Sequence, residues 1–122
     1  MTSAIKARLI AASFFALFGA LLAATYLMVA LPTEPLGSPL ASWLLVPHLV
    51  LALMLVVIRS VREASLLLIA SSLVVIVDLV FYAGGLIWPP GAVGAMALPV
   101  IPGFQLCVLG TIAGLIAIGR YT

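Results

Sequence analysis

The amino-acid sequence predicts an all-α membrane protein, an antiparallel bundle of four transmembrane helices with both termini in the cytoplasm. Of its 122 residues, 66% are hydrophobic and only 7% are charged, whereas a soluble domain carries about 25% charged residues. The apolar residues form four long runs that contain a single charge, Asp78. A helix needs about 20 apolar residues to cross a bilayer, so each run is a candidate span.

We expect the chain 1–122 to form a single membrane domain. Its four spans are predicted at about 9–31, 40–58, 64–88 and 98–118. The connection 32–39 (PTEPLGSP) is rich in proline and predicts an external loop. The segment Gly84–Gly103 is rich in glycine and proline but otherwise apolar. We expect it either to re-enter the membrane or to fold over the outer mouth of the bundle.

The basic residues give the orientation. Four spans place both termini on one side, and that side then carries every basic residue: Lys6, Arg8, Arg59, Arg62 and Arg120. The positive-inside rule makes this face cytoplasmic, which predicts a multi-pass protein of the plasma membrane. Trp43 and Trp88 then fall at the outer boundary, where aromatic rings are enriched. The net charge of +2 is too small for a nucleic-acid surface, and no nucleic-acid partner is expected.

Polar side chains inside the spans are the candidate site. Asp78 lies near the middle of the third span, and Tyr82 follows one helical turn later. His48 and Gln105 fall at similar depths in the second and fourth spans. An ionised aspartate at mid-bilayer costs about 2.5–3.5 kcal/mol on insertion scales. We therefore expect an intramembrane cluster of these four residues, with Asp78 protonated or hydrogen-bonded to His48 or Tyr82.

This cluster has several interpretations. Asp78 either holds helices together by hydrogen bonds, carries a proton or cation, or contacts a ligand. His48 is a packing residue or, less favourably, a haem ligand, because metal sites normally need several His, Cys or carboxylate ligands and the chain has one His. No metal and no cofactor are predicted, with haem or quinone left as an alternative.

Small residues predict close helix packing. Ala12, Ala16 and Ala20 share one face of the first span, and Gly110 and Gly114 form a GxxxG pair in the last. Small residues let transmembrane helices approach closely. The single Cys107 lies in an apolar run and is expected to be a small buried hydrophobe.

Two classes of function fit these features. The first is a small accessory or structural subunit of a larger membrane complex, respiratory or otherwise energy-transducing, with the lipid bilayer and other integral membrane subunits as partners. The alternative is a small homo-oligomeric transporter or channel that uses Asp78 to couple protons or cations. The short loops offer no aqueous site for substrate, so no catalytic activity of its own is expected. The composition suits a prokaryotic source.

Overall fold

Four helices make up the fold. The computed structural model describes residues 3–30, 38–84 and 100–121. Helix α1 spans Ser3–Ala30, α2 spans Pro39–Val56, α3 spans Val61–Asp78 and α4 spans Val100–Tyr121. Directly after Asp78 the third helix continues as a π-helical turn, Leu79–Ala83. The all-helical prediction is confirmed, and α1 to α4 are each long and apolar enough to cross a membrane.

Serine caps define where two of the helices begin. Ser38 Oγ accepts the backbone N–H of Ala41 at 3.2 Å at the start of α2. Ser60 Oγ accepts the N–H of Glu63 at 3.2 Å at the start of α3. Each cap satisfies a backbone donor that the first helical turn leaves without an internal partner. The helices therefore begin at polar residues that a hydropathy pattern does not include.

The helix bounds differ in detail from the expected spans. Helix α1 begins at Ser3, so Lys6 and Arg8 belong to its first turns rather than to a preceding polar segment. Helix α3 begins at Val61 because Ser60 caps it there. The predicted loop 32–39 falls mostly outside the described residues. So do Trp88 and all but the ends of the predicted segment Gly84–Gly103.

Large apolar side chains cover the outer surface. Phe14 is 68% exposed and Val56 is 81% exposed, which a surface in water would not favour for so many large apolar groups. The four apolar helices identify a multi-pass membrane protein that contacts the lipid bilayer. The expectation that Cys107 is buried is wrong, because its side chain is exposed on α4. In lipid an apolar residue has no need of burial, so hydrophobicity does not tell which face turns inward.

Helices α2 and α3 form the centre of the bundle, since each contacts the other three helices. Two apolar clusters fill the interior. One includes Tyr26, Leu44 and Ile101, and the other includes Leu51 and Leu109. Between these two levels lie the buried side chains of His48, Asp78 and Gln105, which form a polar layer that contains the candidate site.

Candidate functional site

Asp78 is the centre of the polar layer. It is the last residue of α3 before the π-helical turn and is fully buried. On α3 it lies between Val74 of one apolar cluster and Tyr82 of the other. A carboxylate in such surroundings needs partners for both of its oxygens, because burying a polar group without a hydrogen bond costs free energy.

Both oxygens of Asp78 have partners. His48 Nε2 on α2 lies 2.8 Å from Asp78 Oδ2. Gln105 Nε2 on α4 donates to Asp78 Oδ1 at 2.8 Å and also to the backbone carbonyl of Val74 at 3.2 Å. His48 is 6% exposed and Gln105 is fully buried. The cluster therefore joins α2, α3 and α4 through a single carboxyl group.

Helix α1 contributes Gly19 to the same point. A Cβ atom added at Gly19 would overlap Asp78 Oδ2 and would lie 3.6 Å from His48 Cδ2. Any side chain here would push the carboxylate away from the imidazole. All four helices thus meet at Asp78. The sequence reasoning missed Gly19, although a lone glycine inside a helix costs about 1 kcal/mol relative to alanine and so indicates a packing reason.

The hydrogen bonds limit where protons reside. The carbonyl of Val74 only accepts, so the amide nitrogen of Gln105 must face it, and the same nitrogen faces Asp78 Oδ1. Asp78 Oδ1 is therefore an acceptor. The proton between Asp78 Oδ2 and His48 Nε2 belongs either to the carboxyl or to the imidazole. If His48 Nδ1 is also protonated, the position of this proton distinguishes a neutral pair from an ion pair.

The net charge of the pair determines whether the other ring nitrogen, His48 Nδ1, carries a proton. A neutral Asp78 with a neutral His48 requires a proton on His48 Nδ1, because Nε2 accepts from the carboxyl. An ionised Asp78 with an imidazolium also carries a proton on Nδ1. Both electrically neutral forms thus make Nδ1 a donor.

Three buried polar atoms of this layer have no hydrogen-bond partner among the described residues: His48 Nδ1, the Tyr82 hydroxyl and Gln105 Oε1. Buried polar groups are rarely left without a partner. Of the two partners expected for Asp78, His48 makes the hydrogen bond, whereas the Tyr82 hydroxyl makes none among the described residues and the Tyr82 ring packs against Tyr26 with ring centroids 5.2 Å apart. Of the four candidate residues, His48, Asp78 and Gln105 are joined by hydrogen bonds, and Tyr82 borders them.

The small residues chosen from sequence occupy different surroundings. Ala12 is fully buried, Ala16 packs against the cluster of Leu51 and Leu109, and Ala20 is half-buried. Gly110 and Gly114 are exposed, and a Cβ added at either would meet no atom of the described residues within 4 Å. The GxxxG pair therefore packs against no described helix of its own chain.

A second polar cluster lies at the end of the bundle where α3 begins and α4 ends. Arg120 donates to both Glu63 oxygens, at 3.1 Å through Nε and at 2.5 Å through Nη2. Arg120 also donates to the carbonyl of Val57 at 2.7 Å, and the N–H of Arg59 donates to Glu63 at 3.2 Å. Glu63 is only 5% exposed. The sequence reasoning did not identify this pair, since nothing local links residues so far apart in the chain.

Metal binding has no centre in the described part of the chain. No group of three or more His, Cys, Asp or Glu side chains comes together there in a way that would hold a metal ion. The pair of His48 and Asp78 supplies two such groups, and the third neighbour is the amide of Gln105. The chemistry that this arrangement supports is hydrogen bonding and the holding of a proton.

Fold and site together define a multi-pass membrane protein with a buried imidazole–carboxylate–amide cluster at the meeting point of its four helices. Comparison with known proteins found no matching family model, no matching curated protein and no matching solved structure.

Proposed function

We propose that this protein is a small subunit of a larger membrane assembly and that the outward face of α4 contacts another integral membrane chain. The observation that carries the proposal is the open space beyond Gly110 and Gly114. Glycine in a helix interior costs about 0.5–1 kcal/mol relative to alanine. Two exposed glycines one turn apart have no packing use in the described part of this chain, and a second helix would use both.

The partners of Asp78 within the chain indicate which surface would meet another subunit. A subunit whose mid-membrane carboxylate lacked partners would need a polar group from its neighbour. Here His48 and Gln105 supply both contacts from within the chain. The association surface is therefore the apolar outer face with its small residues, because close approach of backbones is what holds transmembrane helices together.

The arrangement in the membrane is part of the proposal. Asp78 and Glu63 lie fifteen residues apart on α3, and their partners Gln105 and Arg120 lie fifteen residues apart on α4. These two contacts support α3 and α4 running in opposite directions, as an antiparallel bundle requires. We infer that the end with Glu63 and Arg120 is cytoplasmic, since Arg59 and Arg62 lie there too.

Isolation from native membranes tests the subunit proposal. We expect the tagged protein, solubilised in mild detergent, to bring down defined integral membrane chains in fixed ratio. Respiratory or other energy-transducing complexes of a prokaryotic plasma membrane are the expected class. The variant Gly114→Leu should lose these partners because the larger side chain prevents close approach. The control Leu49→Phe enlarges a side chain that is 62% exposed on α2 and should keep them. Recovery of the unaltered protein as a lone monodisperse monomer would refute the proposal.

A transporter or channel is the second candidate, and one observation favours it. The proton between Asp78 Oδ2 and His48 Nε2 has two alternative sites within 2.8 Å of each other, which suits a proton-coupling group. In that case the outward face of α4 would contact further copies of this chain.

Proton flux in liposomes separates the two candidates. The variant Asp78→Asn keeps the shape of the side chain and retains an oxygen and an amide group for Gln105 and His48, so it should still assemble. A coupled transporter would lose its flux in this variant. Unchanged flux, or no flux in the unaltered protein, would exclude the transporter.

A further inference from the structure

A groove between α2 and α4 opens at the end of the bundle where Glu63 and Arg120 pair. It has a volume of about 210 Å³. Met54 of α2 and Ala113 and Ala117 of α4 line its apolar part, and Glu63 and Arg120 line its polar end. The volume is below the range of about 300–1,000 Å³ typical of sites for whole small molecules. The groove therefore suits one part of a longer apolar molecule.

The position of the groove matches the boundary of the hydrocarbon. Arg120 belongs to the last turn of α4, which ends at Tyr121. Ala113 lies seven residues before Arg120, roughly 10 Å along the helix axis at 1.5 Å per residue. Tyr121 is 88% exposed, and Ala113 and Ala117 are exposed as well. The groove thus runs from the polar end of the bundle along the lipid-facing surface, as an acyl chain does below its head group.

Arg120 presents an accessible cation in this groove. Its side chain is 22% exposed, whereas that of Glu63 is 6% exposed. Arg120 Nε and Nη2 hold the two Glu63 oxygens, and Nη2 also donates to the carbonyl of Val57. Arg120 Nη1 makes no hydrogen bond within the described residues, yet it is not one of their buried unpaired atoms. It is therefore reachable from outside, and a guanidinium is a charged donor at any physiological pH.

The charge at this end of the bundle favours an anion. Arg59 and Arg62 are exposed there, and Glu63 is the one acidic side chain described at that end. Basic pockets between transmembrane helices bind the head groups of anionic lipids. A zwitterionic head group would bring an ammonium close to these like charges. The matching ligand combines a net negative head group with an apolar chain.

We propose that the groove between α2 and α4 binds an anionic phospholipid, with a phosphate oxygen accepting a hydrogen bond from Arg120 Nη1 and one acyl chain lying along Met54 and Ala117. Hydrogen bonds from a guanidinium to a phosphate are charge-assisted and stronger than neutral ones. The inference rests neither on Gly110 and Gly114 nor on the direction in which the bundle crosses the membrane. It therefore stands or falls separately from the subunit proposal.

Native mass spectrometry of the purified full chain in detergent tests this binding. Phosphatidylglycerol and phosphatidylcholine with identical acyl chains compete at equal concentration. We expect phosphatidylglycerol to bind with a preference of about fivefold or more, as one basic contact supplies. Inorganic phosphate at the same concentration should not displace it. Displacement would assign the site to a soluble anion and overturn the proposal, and equal binding of the two lipids would do the same.

A double variant tests the guanidinium at constant net charge. Glu63→Gln combined with Arg120→Gln removes one negative and one positive group, so no buried carboxylate is left without its charged partner. We expect the preference for phosphatidylglycerol to fall by about fivefold, because the charged donor is gone. An unchanged preference would show that the general positive charge of this end, and not Arg120, attracts the lipid, which contradicts the proposal.

A second variant tests the acyl-chain part without altering any charge. Ala117 is exposed and lines the groove, so the side chain of Ala117→Phe occupies it. We expect about a tenfold loss of affinity for phosphatidylglycerol, as the displacement of two methylene groups would give. The control Ala52→Phe enlarges an exposed alanine of α2 that does not line this groove and should bind as the unaltered protein does. Equal affinity in these two variants would refute the proposal.

Discussion

At the scale of single residues, the absence of a side chain at Gly19 is as important as the polar groups themselves. The carboxylate of Asp78 occupies the space that a Cβ would take. Backbone and carboxylate approach closely because glycine allows it. The polar cluster therefore depends on a residue of α1 that has no side chain and carries no charge.

The first prediction concerns this close approach. Gly19→Ala should destabilise the protein by about 1–3 kcal/mol, because the new methyl group overlaps Asp78 Oδ2 and must displace it or the helix. Thermal unfolding in detergent measures the change. Gly103→Ala is the matched control, since a Cβ there meets no described atom within 4 Å. Equal stability of the two variants would show that α1 accommodates the added methyl group beside Asp78 without loss of stability.

The second prediction concerns the amide of Gln105. Gln105→Leu removes the donor to both Asp78 Oδ1 and the Val74 carbonyl and should cost about 1–3 kcal/mol, because it leaves the buried carboxylate oxygen Asp78 Oδ1 without this partner. The cost should be smaller in an Asp78→Leu background, in which one of those acceptors is gone. A double-mutant cycle measures this difference. Strictly additive effects would mean that Gln105 and Asp78 do not act together.

At the scale of elements, the ends of α3 and α4 are joined by charge rather than by apolar packing. Arg120 connects the last turn of α4 to Glu63 and to the carbonyl of Val57 just after α2. Ser60 and Glu63 together satisfy backbone donors at the start of α3. Arg120 thus connects α2, α3 and α4 at the end of the bundle where α3 begins.

The third prediction follows from this connection. Arg120→Gln should lower the unfolding temperature, because it leaves the largely buried carboxylate of Glu63 without its charged partner. Lys6→Gln removes the same charge from an exposed position on α1 and should leave the unfolding temperature nearly unchanged. Thermal unfolding of the two variants is the measurement. A similar loss in both would point to net charge, and not to the contact with Glu63, as the cause.

At the scale of the whole molecule, two groups of hydrogen-bonded polar side chains join different helices at two levels of the bundle, and an apolar cluster separates them. The Asp78 cluster lies at one level and the Glu63–Arg120 pair at the other, with Leu67 and Val74 packed between them on α3. A bundle in lipid gains little from burying apolar side chains, so hydrogen-bonded layers and close packing determine how its helices fit together.

The fourth prediction concerns the orientation of the bundle in the membrane. In a Cys107→Ala background, a cysteine introduced at position 3 or 57 (Ser3→Cys or Val57→Cys) should react with a membrane-impermeant maleimide only after the cells are permeabilised. A cysteine at Gly37 should react in intact cells. The basic residues near Ser3 and Val57 give the physical reason, because positive charge is retained on the cytoplasmic side. Labelling of Gly37→Cys and Val57→Cys from the same side would exclude the proposed topology.

The sequence by itself determined that the protein is built from four membrane-crossing helices and which polar residues had to be accommodated inside them. Hydropathy is a local property, and a run of apolar residues long enough for the bilayer has few alternatives to a helix. Asp78, His48 and Gln105 could be singled out for the same reason, since a polar side chain in such a run needs a partner.

Only the tertiary structure decided how those helices are rotated against one another. That rotation joined His48 and Gln105 to Asp78, turned Tyr82 towards Tyr26, and left Gly110 and Gly114 on the outside. In lipid the outer and inner faces of a helix are similarly apolar, so periodicity does not distinguish them. The pairing of Glu63 with Arg120 and the close approach at Gly19 depend on contacts between distant parts of the chain, and no local pattern encodes these.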